Sequence, residues 1–192
     1  MGREAVLAAT RKLLHDLPPA RVTTSAIARE AGIDPALVRY YFGDRTNLLL
    51  AVVDEMIGDA PMVNADEADP VAVLAKSIQN TARFTRSTRH IHRLMVDELA
   101  DAKSAEVRER LGQMNAFAIQ DFAKLMERDD GRELRKVDPL FLHIALIGLF
   151  DFFVSAQPVI RALVPEGTDM DALAAKFEAF VTDLVLEGVK AR

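Results

Sequence analysis

Four side-chain hydrogen-bond donors, one of them Tyr41, fall within seven residues near the start of the sequence. Arg39 and Tyr40 are adjacent, and Arg45 lies five positions after Tyr40. An arginine can donate two parallel hydrogen bonds to O6 and N7 of guanine, which discriminates against other bases by about 1–3 kcal/mol. Tyrosine hydroxyls and further arginines bind phosphate oxygens, which position a protein on a duplex without reading its sequence. The spacing therefore predicts chemistry directed at DNA.

Two short helices joined by a glycine turn are predicted to position these side chains. The first covers about residues 25–31, and Gly32 follows it, where a helix often ends in a left-handed residue. Asp34 can cap the second helix, about residues 35–42, by accepting from its first free N–H groups. This unit is typical of helix-turn-helix proteins, although glycine turns between short helices also occur in other helical proteins.

The predicted DNA contacts lie at the start of both helices and on the outward face of the second. Small residues at the start of the second helix permit close approach to base edges or to the thymine methyl group. Thr23 or Thr24 is also expected to cap the first helix, and Tyr41 has an alternative interpretation as filling at the core edge. The predicted set is Thr23, Thr24, Ser25, Pro35, Ala36, Arg39, Tyr40, Tyr41 and Arg45.

The charge distribution is compatible with DNA binding despite a net charge of −5 over 192 residues. Residues 1–45 hold seven Lys and Arg against five Asp and Glu, whereas the rest of the chain holds 17 against 24. The acidic excess therefore belongs to the later part of the chain, which is expected to lie away from phosphates. The sequence has no cysteine, which excludes disulfides, cysteine zinc sites and thiol nucleophiles.

Apolar residues recur at helical spacing along almost the whole chain, which predicts an all-α fold of about nine helices. Pro18 and Pro19 end the first helix, and a fourth is expected over about residues 45–57. The turn-rich acidic stretch 58–70 is predicted to be a linker. Longer helices are expected near residues 71–86, 88–101, 104–128, 138–163 and 169–189.

The stretch VTTSAIAREAGIDPALVRYYFGDRTNLLLAVVDEM, within residues 3–57, resembles the N-terminal domain of the TetR (tetracycline-repressor-like) family of bacterial regulators. The family's threonine-initiated helix, Ile-Ala pair, Ala-Gly turn, aromatic-Phe pair, basic residue and leucine correspond to Thr23, Ile27-Ala28, Ala31-Gly32, Tyr41-Phe42, Arg45 and Leu48. The family often has Tyr at the position of Arg39, His at that of Tyr41, and usually Lys at that of Arg45. Arg39 therefore predicts an operator richer in guanine.

The resemblance implies residues 1–57 as a DNA-binding domain and residues 58–192 as a helical domain that binds a small-molecule effector and dimerises. The last two long helices would pack against their copies, and a two-fold dimer would bind a pseudo-palindromic operator. The apolar surface of these helices supports this interface, with an intramolecular core as the alternative. The predicted interface residues are Phe141, Gly148, Phe152, Phe153, Phe177, Phe180 and Leu184.

An effector pocket is expected among the middle helices, because Met and Phe side chains make adaptable apolar walls. The candidate lining residues are Phe84, Met95, Met114, Phe117, Phe122, His143 and Ile147, and each has ordinary core packing as its alternative. The run from Arg83 to Arg93 places Arg83, Arg86, His90 and Arg93 on one expected helical face. This face could be solvent-exposed and paired with acidic residues of the chain. The alternatives are a site for an anionic effector and a contact with a phosphate.

Enzymatic function is not expected, and neither is a cofactor or a metal. The histidines lack metal-site spacing, and the sequence has no P-loop, GxGxxG or HExxH motif. The apolar region 140–160 carries His143, Asp151 and Gln157, so a membrane span is not expected either. The sequence predicts a cytoplasmic repressor released from DNA by its effector. The alternatives are an activator, or a helical small-molecule-binding or protein-interaction dimer that binds no operator.

Overall fold

The computed structural model describes residues 2–58, 69–100 and 105–191, except for the side chains at positions 98, 100, 106 and 114. Within these residues the fold is all-α, as predicted, and an isolated bridge between Leu134 and Lys190 is the only β pairing. The helices are α1 (Gly2–Asp16), α2 (Thr24–Ala31), α3 (Pro35–Phe42), α4 (Arg45–Gly58), α5 (Pro70–Ser87), α6 (Ile91–Leu94), α7 (Ala105–Asp129), α8 (Pro139–Ser155), α9 (Gln157–Leu163) and α10 (Met170–Val189), with a 3₁₀ turn at Pro19–Arg21 and a π-helical segment at Met95–Ala100.

The described chain divides into two compact units. The first contains residues 2–58, 88–100 and 105–114, and the second contains residues 69–87 and 115–191. Helix α7 therefore contributes its start to the first unit and the rest to the second. Most of the predicted linker lies outside the described residues, and the domain division at residue 58 stays a prediction.

Short-range signals define the helix-turn-helix in the first unit. The Thr23 hydroxyl accepts a hydrogen bond from Ala26 N at 3.2 Å, and the Asp34 carboxylate accepts one from Ala36 N at 2.7 Å. Gly32 ends α2 with φ at 67°, the left-handed conformation that glycine adopts without a Cβ clash. Helix α1 packs against α2, α3 and α4. Their shared core contains Val6, Leu7, Ile27, Ala28, Val38, Leu48, Leu49, Val52 and Val53.

In the second unit, α5 packs against α8 and α10 around one apolar cluster. The segment that follows α7 is held by the buried carboxylate of Asp129, which accepts hydrogen bonds from Glu133 N and Leu134 N. Ala191 N then donates to Glu133 O at 2.8 Å and ties the end of the chain to this segment. Asp129 thus satisfies the N–H of Leu134, which would otherwise be buried without a partner.

Two predicted helices are wrong in detail. The helix expected over 138–163 is two helices, α8 and α9, whose axes are bent by 73°. Pro158 explains the break, because proline has no N–H to donate to the preceding turn and its ring clashes with the carbonyl four residues earlier. The helix expected over 88–101 begins only at Ile91 and becomes π-helical at Met95.

The expected basic face is also wrong, because α5 ends at Ser87 and a turn follows before α6. Arg86 lies on α5, 3.9 Å from Glu178, whereas Arg93 lies on α6, 3.2 Å from Asp97.

His90 lies in the turn between these two helices. Partial burial and the neighbouring Arg89 guanidinium lower the pKa of its imidazole.

No single helix in the described residues is long and apolar enough to cross a membrane. Helices α8 and α9 reach that length and apolar composition only when the two bent helices are counted together.

Candidate nucleic-acid interface

Helix α3 uses one narrow face for the core and leaves the rest exposed. Val38 and Phe42 are buried against the other helices of the first unit. At 3.6 residues per turn, the side chain opposite this buried face is Tyr40, which is 80% exposed. The other exposed side chains of the helix are Pro35, Ala36, Leu37 and Arg39. All the outward residues named from the sequence are therefore available on one surface.

Leu37 is an exposed residue that the sequence prediction missed. Its side chain is 40% exposed, although leucine is among the residue types that are most often buried. The signal was present in the sequence, because a helix that points Val38 and Phe42 inward must point Leu37 outward. Leu37 and Arg39 lie about 160° apart around the helix axis, so they flank Ala36 and Tyr40 on opposite edges of the exposed face.

Tyr41 is anchored within the first unit. It is half-buried and makes an edge-to-face contact with Tyr40, with ring centroids 5.3 Å apart. A Cβ atom at Gly2 would collide with the far end of the Tyr41 ring, so the start of α1 lies directly against it. The neighbouring Arg3 guanidinium lies 5.1 Å from the centroid of the Phe42 ring. This packing orients Tyr41, and its predicted role at DNA stays a prediction.

Arg45 joins the start of α4 to the segment before α2. Its Nε donates to Val22 O at 2.9 Å and its Nη2 to Pro19 O at 2.7 Å. Asp44 caps the same helix by accepting from Asn47 N at 2.8 Å. The two Arg45 contacts join residues more than 20 positions apart, so no local sequence pattern could indicate them.

An open groove of about 370 Å³ lies beside these residues, on the Arg39 edge of α3. Its lining residues are Thr24, Val38, Arg39, Gly43, Asp44 and Arg45. Thr24 is half-buried, whereas Ser25 and Thr23 are exposed at the start of α2. The lining thus contains two arginines and a threonine, which are residue types that bind phosphate oxygens, together with Asp44, whose carboxylate repels them.

Replacing Arg45 with Ala is expected to lower the free energy of unfolding by about 1–3 kcal/mol, because two carbonyl groups lose a charged donor. Urea denaturation followed by circular dichroism measures this loss. Arg45→Lys keeps the charge but not the forked geometry, so it should recover only part of the stability. An Ala variant that unfolds at the same urea concentration as the unmodified protein would contradict the structural role.

The predicted phosphate contact of Arg45 is a separate property. Its loss would lower the slope of log affinity for DNA against log salt concentration by about 0.9.

The predicted dimer residues fall into two groups in the second unit. Phe153 stacks on Phe177 with ring centroids 4.6 Å apart, so this pair joins α8 to α10 within one chain. The other predicted side chains are exposed, and Gly148 faces open space. Their exposed fractions are 68% for Phe141, 65% for Phe152, 60% for Phe180 and 53% for Leu184.

The residues predicted to line the effector pocket differ in their unit and in their solvent exposure. Met95 belongs to the first unit, and the candidates from the second unit range from the buried Phe122 to Phe117, which is 67% exposed. Phe84 and Ile147 are half-buried, and the Met114 side chain lies outside the described part of the chain. His143 Nε2 lies 3.1 Å from Asn115 Oδ1 in a partly buried position.

Comparison with known proteins covers both parts of the chain. Residues 6–52 match the family described as "Bacterial regulatory proteins, tetR family", and residues 70–185 match "Tetracyclin repressor-like, C-terminal domain". The HTH-type transcriptional regulator BetI of Rhizobium meliloti (strain 1021) is 39% identical over 56 residues, which are 29% of this chain. The aligned segment spans only 28% of that relative's length.

Two solved structures share the fold along nearly the whole chain. A TetR family transcription regulator from Marinobacter aquaeolei VT8 has a TM-score of 0.68 at 20% identity, over 100% of this chain and 96% of its own. FadR from Bacillus subtilis, in complex with stearoyl-CoA, has a TM-score of 0.61 at 14% identity, over 93% and 97% of the two chains. The exposed α3 face, the capped helix-turn-helix and the two family matches together show that this chain belongs to the TetR family of non-enzymatic, DNA-binding transcriptional regulators.

Proposed function

We propose that the protein is a repressor that binds a pseudo-palindromic operator as a homodimer and leaves it when a small molecule binds the second unit. The observation that carries this proposal is the outward face of α3, where Arg39 and Tyr40 are exposed while Val38 and Phe42 fix the helix on the core. Residues 1–57 would serve as the DNA-binding domain, and residues 58–192 would bind the effector and dimerise.

A second copy of the chain is the proposed occupant of the exposed apolar face of α8 and α10. Phe141, Gly148 and Phe152 lie at spacings of seven and four residues, which places them within about 40° of one another around the α8 axis. Phe180 and Leu184 form a neighbouring pair at i and i+4 on α10. An apolar surface of this kind marks an interaction site in a water-soluble protein.

The contacts of α4 support a connection between effector and DNA. Within the first unit, Asp54 of α4 forms an ion pair with Arg110 near the start of α7, and Glu55 pairs with Arg11 of α1 at 3.1 Å. We propose that effector binding changes the position of α7 and that the Asp54–Arg110 pair passes this change to α4. Such a shift would alter the spacing of the two α3 helices and favour the form that does not fit DNA.

The His143–Asn115 pair suggests the kind of effector. Phe84 and Ile147 are half-buried apolar side chains of the second unit, and the His143–Asn115 pair of the same unit adds one polar anchor. This composition suits a molecule with an apolar body and one hydrogen-bonding group. Stearoyl-CoA is the first probe, because FadR binds it on the same fold.

Transcription from a promoter that overlaps an operator selected by the protein from random DNA tests the proposal. Addition of the protein should reduce the transcript, and an effector that raises the melting temperature of the protein should restore it. An increase in transcript on adding the protein would identify an activator. Full repression that no stabilising small molecule relieves would contradict effector control.

A further inference from the structure

Leu37 lies on the exposed face of α3, next to the residues that are predicted to contact DNA. The core of the first unit is completed by Val38 and Phe42, which are 1% and 9% exposed, whereas Leu37 is 40% exposed. Its backbone N–H donates to Asp34 O at 2.9 Å, so the residue lies in the first turn of the helix, beside the cap. An exposed leucine in this place offers an apolar group to whatever α3 contacts.

The major groove of DNA offers one apolar partner at the base edges, the C5-methyl group of thymine. Pro35 and Ala36 precede Leu37 and are exposed without bulk or charge, so the backbone at the start of α3 can come close to the bases. The Asp34 carboxylate nearby is engaged with Ala36 N. We propose that Leu37 contacts the methyl group of a thymine in each operator half-site and thereby selects thymine at that position. This inference rests on the proposed placement of α3 in the major groove.

The geometry of α3 separates this contact from the one proposed for Arg39. The two side chains lie on opposite edges of the exposed face, about 160° apart around the helix axis. Arg39 borders the groove that Arg45 also lines, whereas Leu37 lies one turn before Tyr41, on the opposite edge of the exposed face. Each half-site should therefore contain a thymine and a guanine at different base pairs.

Uracil replacement in the operator tests the proposal, because deoxyuridine lacks only the C5-methyl group of thymine. Duplexes of the selected operator carry one thymine-to-uracil change per half-site, and fluorescence anisotropy measures their affinity for the full chain. Loss of one buried methyl group should weaken binding about fourfold per half-site at one thymine position and have no effect at the others.

The protein variants provide the matched comparison. Leu37→Ala should weaken binding to the thymine operator by a similar factor and remove the sensitivity to uracil, because both changes delete the same contact. Leu37→Met keeps an apolar side chain and should retain the sensitivity. Since Leu37 is not part of the core, the Ala variant should melt at the same temperature as the unmodified protein.

The results separate this inference from the proposed function. Failure to select any operator would overturn the proposed placement of α3 and this inference with it. Selection of an operator whose uracil forms all bind like the thymine form would overturn the role of Leu37 alone. Uracil sensitivity that persists unchanged in Leu37→Ala would also overturn it, since another side chain would then contact the methyl group.

Discussion

Phe152→Asp is expected to convert the dimer into a monomer at micromolar concentration and to weaken operator binding by about 100- to 10,000-fold. The side chain is 65% exposed in a single chain, so the substitution should not disturb the fold of that chain. In the proposed dimer it would place two carboxylates in an apolar interface, where burial of an unpaired charge is strongly unfavourable. The loss at the operator is large because two linked heads bind with an effective concentration that a single head lacks.

Phe117→Asp is the matched control for this variant. Phe117 is 67% exposed on α7, so the chemical change and the starting exposure are nearly the same. The control should remain dimeric in sedimentation velocity, because Phe117 is not among the predicted interface residues. If Phe152→Asp also remained a dimer at micromolar concentration, the proposed interface on α8 would be wrong.

Arg39→Ala is expected to weaken operator binding by about 5- to 150-fold per half-site, which corresponds to the loss of about 1–3 kcal/mol from a bidentate contact with guanine. The effect should be specific, because selection with the variant should lose the preference for guanine at one position in each half-site. Arg132→Ala removes the same charge from an exposed turn in the second unit and should leave affinity and preference unchanged.

Arg39 lies beside the groove, so it could contact either a base or a phosphate. The two contacts differ in which DNA sequences lose affinity when Arg39 is replaced. A base contact weakens binding to the guanine operator and leaves binding to unrelated DNA nearly the same. If Arg39→Ala weakened all sequences equally and lowered the salt slope by about one, Arg39 would be a phosphate contact and the predicted guanine would be wrong.

The helix-turn-helix could be predicted almost to the residue because its boundaries depend on local chemistry. Capping by Asp34 and the left-handed Gly32 act over two or three neighbours, and both are present as predicted. The exposure of Leu37 follows from the same local geometry, because the inward positions of Val38 and Phe42 require it to point outward.

Other features depend on contacts that no local pattern contains. Arg45 donates to carbonyl groups 23 and 26 positions earlier, so a sequence motif that suggests a phosphate contact says nothing of this second role. Apolar residues of α8 and α10 have the same composition whether they pack within one chain or against another. Only the structure separates the stacked pair Phe153 and Phe177 from the exposed Phe152.

In the proposed two-fold dimer, the α3 helices of the two copies lie in successive major grooves. Selection of DNA by the full chain from a pool of random duplexes, followed by sequencing, tests this arrangement. We expect a pseudo-palindrome whose half-site centres lie about 10 base pairs, or a multiple of one helical turn, apart. Enrichment of a single asymmetric site, or of no sequence at all, would contradict it.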